Sequence, residues 1–188
     1  MIRTGEAAVA LRRVRSMCDP MFAQAMLLYG QSFPAHELRL WGDQVWAMGD
    51  EAFMPMLAVQ GGEFAGLCFC WNFGELLYVE HLSVDVELRG RGIGRQILEA
   101  LAQLGKTVVL EIDPPADAVS IRRKGFYERC GYVENPFAHV HPPYRAGREG
   151  HALVVMSYPR ALTQEAFDAF ASSLRDRAMR YSQPRRIG

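Results

Sequence analysis

The sequence predicts a single α/β domain, of the α+β kind, with one mixed and largely antiparallel central sheet flanked by helices. Its 188 residues suffice for one domain that buries a full core without staples. β-Prone apolar runs and amphipathic stretches follow one another in the order β-α-α-β-β-β-α-β-α-β-β. A loop rich in glycine and arginine, Arg89-Gly90-Arg91-Gly92-Ile93-Gly94, joins an apolar strand directly to a helix.

Residues 9–15 read as the first strand. Asp19 offers an N-cap and Pro20 the first helical position for a helix through Tyr29, and Pro34 interrupts it. A second helix covers about residues 37–47 and carries Leu38, Trp41 and Trp46. Residues 52–60 and 64–73 are apolar, β-prone runs separated by Gly61-Gly62-Glu63, a hairpin signal. The strand over 75–86 feeds the arginine-glycine loop, and the helix over 93–104 stops at Gly105. A buried strand over 107–112 ends at Asp113-Pro114-Pro115, and a helix over 119–130 reaches Gly131 at its C-terminal cap. Tyr132-Val133 begins another strand, residues 135–149 form a loop rich in proline, histidine and glycine, and a last strand covers 152–158. Thr163 can cap a final helix that repeats Phe167, Phe170 and Leu174 on one face. That face packs on this subunit or on a twin, so self-association through the late strands and terminal helix stays open. The expected division is a domain over 8–160, the C-terminal helix over 161–182 and a frayed, solvated tail over 183–188.

With 21 basic and 21 acidic residues the chain has no global field to draw nucleic acid or a membrane surface. Cys18, Cys68, Cys70 and Cys130 form no zinc pattern and read as thiols of a reduced cytoplasmic protein. No apolar stretch reaches the roughly 18 residues of a membrane span, and the polar start from Met1 to Glu6 lacks a signal-peptide core.

The glycine-arginine loop carries the chemistry. A helix that opens straight from such a loop presents backbone N–H groups without intrahelical partners, which suits an anion and phosphate above all. Gly90, Gly92 and Gly94 remove side chains that block a pyrophosphate, while Arg89, Arg91 and Arg95 add positive charge beside the helix dipole. Neither the dinucleotide pattern with its acidic residue about 20 positions later nor the Gly-Lys-Ser/Thr of a P-loop is present.

The run from Arg89 to Gly94 resembles the Q/R-x-x-G-x-G/A signature of the GNAT superfamily of acyl-CoA-dependent N-acyltransferases. A second block, Gly125-Phe126-Tyr127-Glu128-Arg129-Cys130-Gly131-Tyr132, resembles that family's later F-Y-E-x-x-G-F/Y motif. The resemblance implies the GNAT fold, with a splayed strand pair in the sheet, here extended by the C-terminal helix. It implies acetyl-CoA as co-substrate, its pantetheine arm pairing as a pseudo-strand with Leu82, Ser83 and Val84. Backbone N–H groups near Leu82 meet the oxyanion, and the pyrophosphate lies on Arg89, Gly90, Arg91, Gly92, Ile93, Gly94 and Arg95. Many members carry Asn seven residues before the motif tyrosine and a small residue four before it, where this chain has Ser120 and Arg123. Ser120 is expected to keep a weaker hydrogen bond to pantetheine; Arg122 and Arg123 reach phosphate or pair with Glu128 and Asp117.

Acetyl transfer to an amine needs a neutral nitrogen, a stabilised oxyanion and a leaving thiolate. An alkylamine titrates near lysine, about 10.4, so at pH 7 it needs a base. In relatives that draw a base from the strand before the loop, it falls on Glu80 or Tyr78. Alternation puts both on one face, with Leu82 following unless a bulge intervenes, and His81 on the other. Glu80 is the expected base, directly or through water; its alternative is to pair with a core arginine or to orient a water. His81 has the better intrinsic pKa but the wrong direction. Tyr127 is expected to protonate the leaving thiolate, or else packs as an ordinary helix tyrosine.

The same resemblance places the acceptor between the first two helices and the loop of the last two strands. Phe33, His36, Trp41 and Trp46 then face Phe137, His139, His141, Pro142, Pro143 and Tyr144, with Glu37, Glu80 and Glu111 as nearby acids. Phe33, Tyr78, Glu111, His141 and Tyr144 are the expected acceptor contacts, a mixture suited to a small cationic amine. His139-x-His141 lacks a third committed ligand, so no metal is expected. The expected function is acetyl-CoA-dependent N-acetylation of a small amine or amino-acid-like metabolite. Acetylation of a protein N-terminus or lysine, and a non-catalytic acyl-CoA sensor, are the alternatives.

Overall fold

Residues 7–187 are described by the computed structural model; Met1 to Glu6, read above for a leader, lie outside them. The elements run β1 (Val9–Arg13), α1 (Phe22–Ser32), α2 (Trp41–Ala47), β2 (Phe53–Gln60), β3 (Glu63–Phe73) and β4 (Leu76–Val84). They continue with α3 (Ile93–Ala102), β5 (Thr107–Ile112), α4 (Ala118–Arg129), β6 (Val133–Glu134) and β7 (Val140–His141). Last come β8 (His151–Ala152), β9 (Val154–Tyr158), α5 (Gln164–Asp176) and α6 (Gln183–Ile187).

Gly61 and Gly62, at φ of 60° and 90°, turn β2 back on β3. The main sheet has the order β1-β2-β3-β4-β5-β9-β6, and β7 pairs with β8 in a separate small ribbon. All neighbours in the main sheet are antiparallel except β4 and β5, which run parallel. Their pairing covers only Leu76 to Val79 against Thr107 to Leu110, and beyond it the two strands part.

At the same level the β3–β4 register slips. Phe69 lies opposite His81 and Cys70 opposite Val79, so Glu80 is an extra residue on β4. A bulge adds one residue to the alternation, so Tyr78, Glu80 and His81 all fall on one face, while Leu82 moves to the other. The expectation that His81 points away from Glu80 is thereby corrected: alternation cannot register a slip imposed by the neighbouring strand.

Each face buries its own apolar layer. Phe22 and Leu28 of α1 and Phe170 and Leu174 of α5 cover Phe53, Phe69, Trp71 and Tyr78. Ile97, Leu98 and Leu101 of α3 cover Leu77, Val79, Val108 and Leu110 on the opposite face. Ile97 is fully buried, and Ile97→Val is expected to lower the unfolding free energy by about 1 kcal/mol. A urea denaturation curve with a lower midpoint and an unchanged slope checks it.

The early connections differ from expectation. Asp19 does not cap α1; its Oδ1 accepts the Met21 N–H at 2.9 Å and its carboxylate holds Arg12, so the helix starts at Phe22. The helix expected over 37–47 divides into a 3-10 turn, Ala35–Glu37, and α2. Leu38 and Leu40 between them are extended, and Arg39 is only 3% exposed. Helical continuity yields there because Arg39 has partners inside the core. Met179, Tyr181 and Ser182 are buried, and the Gln183 N–H donates to the Tyr144 carbonyl at 3.1 Å.

Candidate active site

Where β4 and β5 part, a cavity of about 820 Å³ opens across the sheet. One end is built by the loop after β4. Gly90 and Gly92 take φ of 79° and 80°, and Gly92 caps α3, whose first N–H groups have no intrahelical acceptors. A Cβ on Gly94 stands 3.3 Å from Phe126 Cζ and 3.7 Å from Val84 Cγ2, so glycine lets α3 and α4 approach. Arg89, Gly90, Gly92, Ile93, Gly94 and Arg95 line this end. Arg91 does not; its Nη2 donates to the Glu87 carbonyl at 3.2 Å.

Leu82, Ser83 and Val84 pair with β3 along one edge and leave the edge toward β5 open to the cavity. That is the edge a peptide-like arm can join. The Ser83 hydroxyl is already paired with Ser32 at 2.7 Å. Ser120 is engaged within its own helix start. Its Oγ accepts the Asp117 N–H at 3.0 Å while Asp117 Oδ1 accepts the Ser120 N–H at 2.7 Å, a capping box that starts α4. Its hydroxyl is spent on the helix start, and the residue lines no part of the cavity. Arg123 pairs with Asp113 at 2.6 Å rather than with Asp117.

Tyr127 also lines the cavity. Its ring packs between Phe126 and Tyr132, with centroids at 5.2 and 5.8 Å, and its hydroxyl has no hydrogen-bond partner among the described residues. Burial pushes its pKa up to about 12, so it stays protonated at neutral pH.

The far end holds two buried carboxylates with opposite surroundings. Glu80 has a side chain without exposed surface and accepts hydrogen bonds from every direction. Arg39 donates to both oxygens at 2.6 and 2.5 Å, Trp71 Nε1 at 2.9 Å and the Tyr144 hydroxyl at 2.8 Å. Burial alone raises such a carboxyl, but Arg39 and then His81 more than offset it and hold Glu80 well below the usual carboxylate range. A carboxylate in that state takes no proton at neutral pH. The ion pair stated as the alternative for Glu80 is the arrangement present, with Arg39 as the arginine. His81 is no substitute: its Nε2–H donates to the Glu37 carbonyl at 3.1 Å, and its Nδ1 is buried without a hydrogen-bond partner.

Glu111, on the end of β5, accepts from the Tyr78 hydroxyl at 2.5 Å and from His139, and His141 Nε2 lies 3.8 Å away. Burial opposes its charge, yet His141 and His139 hold its pKa below the ordinary value. Phe33, Tyr78, Glu111, His141 and Tyr144 all line the cavity, joined by Glu37 and His151. The remaining expected wall residues lie elsewhere. Trp41 and Trp46 are 58% and 46% exposed, Phe137 stacks on Phe167 at 4.4 Å, and His36, Pro142 and Pro143 line a separate smaller cavity. Glu37, Asp113 and His151 each bring a donor atom within 4.8 Å of the others, but Asp113 is already neutralised by Arg123.

Arg39 is the functional-site residue that sequence reading missed. Its only signal is an arginine set between Leu38 and Leu40, which reads equally well as the solvent face of a helix.

A splayed sheet that runs into a helix-opening anion loop is the arrangement that the resemblance to acyl-CoA-dependent transferases implies. The sequence profile of the acetyltransferase (GNAT) domain matches residues 43–134. Residues 43–134, just under half of the chain, thus resemble a GNAT acetyltransferase domain. It is 27% identical over 100 residues to glucosamine 6-phosphate N-acetyltransferase 1 of Oryza sativa subsp. japonica, covering 50% of this chain and 56% of that protein. The chain thus spans about half the length of the curated relative it matches. A GNAT-family protein of Bacteroides thetaiotaomicron has the same fold at a TM-score of 0.85 and 22% identity, over 90% of this chain and 98% of that one. Arabidopsis thaliana Naa50, in complex with the bisubstrate analogue CoA-Ac-MVNAL, follows at a TM-score of 0.57 and 20% identity, over 80% of this chain and 98% of its own.

Proposed function

We propose that the protein transfers the acetyl group of acetyl-CoA to the primary amine of a small cationic metabolite, by direct attack within a ternary complex. The observation that carries this reading is one continuous cavity. Its wall includes the loop glycines, the acidic and aromatic residues Glu37, Glu111, Phe33, Tyr78 and Tyr144, and Tyr127. The α3 N-terminus and the loop hold the pyrophosphate, the open edge of β4 pairs with the pantetheine, and the thioester comes to rest beside the bulge.

The wall of the far chamber sets the acceptor. Among the described residues, every arginine on the cavity wall, Arg89, Arg95 and Arg123, comes from the loop, α3 or α4, and none of the lining residues is lysine. Glu37 and Glu111 face the acceptor end with Phe33, Tyr78 and Tyr144. Carboxylates over aromatic faces favour an ammonium group and repel a phosphate, so this chain's acceptor differs in charge from the phosphorylated sugar in the rice relative's name. The hairpin β7–β8 supplies His141 and His151 to the wall and narrows it toward small acceptors.

Loss of thioester absorbance from acetyl-CoA, with amines, amino acids, amino sugars, their phosphates and short peptides as acceptors, tests the reading. Turnover confined to unphosphorylated amines bears it out, whereas preference for a peptide or a sugar phosphate overturns the acceptor class. Gly92→Ala places an L-residue at a φ of 80°, a strain of about 1–2 kcal/mol. That strain falls on the pyrophosphate cradle and is expected to raise the Kd for coenzyme A about tenfold by calorimetry.

A further inference from the structure

Within the acyl-transfer reading, on which it rests, we propose that His141 is the general base, accepting the acceptor's ammonium proton on Nε2. The ring is prepared for that role from three sides. His141 Nδ1 lies 2.6 Å from the Pro142 carbonyl oxygen. A carbonyl only accepts, so Nδ1 carries the ring proton and Nε2 keeps its lone pair. Nε2 has no hydrogen-bond donor among the described residues and is not among the buried unpartnered atoms, so it is open to the cavity that His141 lines.

The second side is charge. Glu111 Oε2 stands 3.8 Å from Nε2, and the Tyr78 hydroxyl and His139 fix that carboxylate. An imidazolium formed at Nε2 is therefore met by an oriented negative charge, the arrangement a base needs after it has taken a proton. The third side is position. The ring stacks on Tyr144 with centroids at 5.0 Å and planes at 28°, and Tyr144 donates to Glu80, which Arg39 clamps. Glu80, locked as it is, thus acts as a positioning residue through Tyr144.

The charged and titratable groups facing His141 are Glu111 from β5, Glu80 from β4, His151 from β8 and Tyr144 from its own loop. Burial lowers the His141 pKa, the two carboxylates and the Pro142 carbonyl oppose that, and the net displacement is downward. The ring is neutral at physiological pH and ready to accept.

The protons balance. Nε2 takes one proton from the ammonium, and the neutral amine attacks the thioester carbon as the C–N bond forms. The C–S bond then breaks, and the second proton lost from nitrogen reaches the departing sulfur through Tyr127. The imidazolium returns its proton to solvent, giving amide, free coenzyme A and one proton.

His141→Gln keeps a polar side chain but has no basic nitrogen. It is expected to lower kcat by about 100-fold or more. The KM for acetyl-CoA stays within about twofold, and the acid limb of the kcat/KM profile is lost. With hydroxylamine as acceptor, mostly neutral without a base at pH 7, the loss shrinks. A variant that keeps the acid limb, or that loses activity equally with every acceptor and also loses coenzyme A affinity, overturns the assignment while wild-type turnover preserves the acyl-transfer reading. Silence of the wild type with every acceptor removes both. Nitrogen-15 spectra of the wild-type imidazoles give a check that needs no variant: the Nδ1–H tautomer for His141 supports the base, and the Nε2–H tautomer overturns it.

Discussion

Glu80→Ala is expected to cost the fold about 3–5 kcal/mol, because it leaves the Arg39 guanidinium buried without its counter-charge. Both side chains of the pair have no exposed surface. Arg39 keeps its contact to the Ala178 carbonyl at 3.0 Å and the rings of Trp71 and Tyr144 at 5.4 and 5.3 Å, none of which carries a full negative charge. Glu80→Gln is expected to lose a similar amount, since it keeps the shape and removes the charge. Replacing both partners at once, as Arg39→Met with Glu80→Leu, is expected to recover most of the loss, because two apolar groups strand nothing. Urea unfolding of the three variants measures this directly. A loss below about 1 kcal/mol for Glu80→Ala means that water reaches Arg39 and that the pair is no buried clamp.

The sign of the pH dependence follows from the same pair. Glu80 titrates lower in the folded state than in the unfolded chain, because Arg39 and His81 overcome the cost of burial. Its stabilisation is complete above the ordinary glutamate value of about 4.3 and drains away as the pH falls toward the folded value. Acid denaturation of the wild type is therefore expected to begin below about pH 4, and Glu80→Gln removes that part of the slope.

The parts of the molecule that were legible in the sequence are those fixed by local chemistry. The limits of β5 at residues 107 and 112 follow from an apolar run closed by Asp113-Pro114-Pro115, and the hairpin from paired glycines. The loop is legible because phosphate recognition by a helix start needs glycine at fixed spacing. The illegible parts depend on distant segments. The bulge at Glu80 is set by the register of β3, so alternation along β4 alone sends His81 to the wrong face. Arg39 is explained only by the carboxylate, the indole and the tyrosine that converge on it from three other segments. Ser120 carried a role by position in a motif, yet a competing local use of its hydroxyl at the α4 cap came first. The β7–β8 ribbon spans two residues on each side, too short for any periodicity to register.

Tyr127→Phe is expected to lower kcat by about 100-fold with little change in acetyl-CoA affinity. Phenylalanine preserves the packing against Phe126 and Tyr132, so the substitution removes one hydroxyl and nothing of the core. The midpoint of thermal unfolding should therefore stay close to that of the wild type, which separates a chemical loss from a structural one. A tyrosine acting as acid must be protonated, and with a pKa pushed up to about 12 by burial it is so throughout any practical assay range. Tyr127 consequently contributes no alkaline limb between pH 7 and 10, and any acid limb belongs to another group. Turnover within about threefold of wild type shows that solvent supplies the proton, and leaves the Tyr127 ring as a spacer between the loop and the acidic chamber.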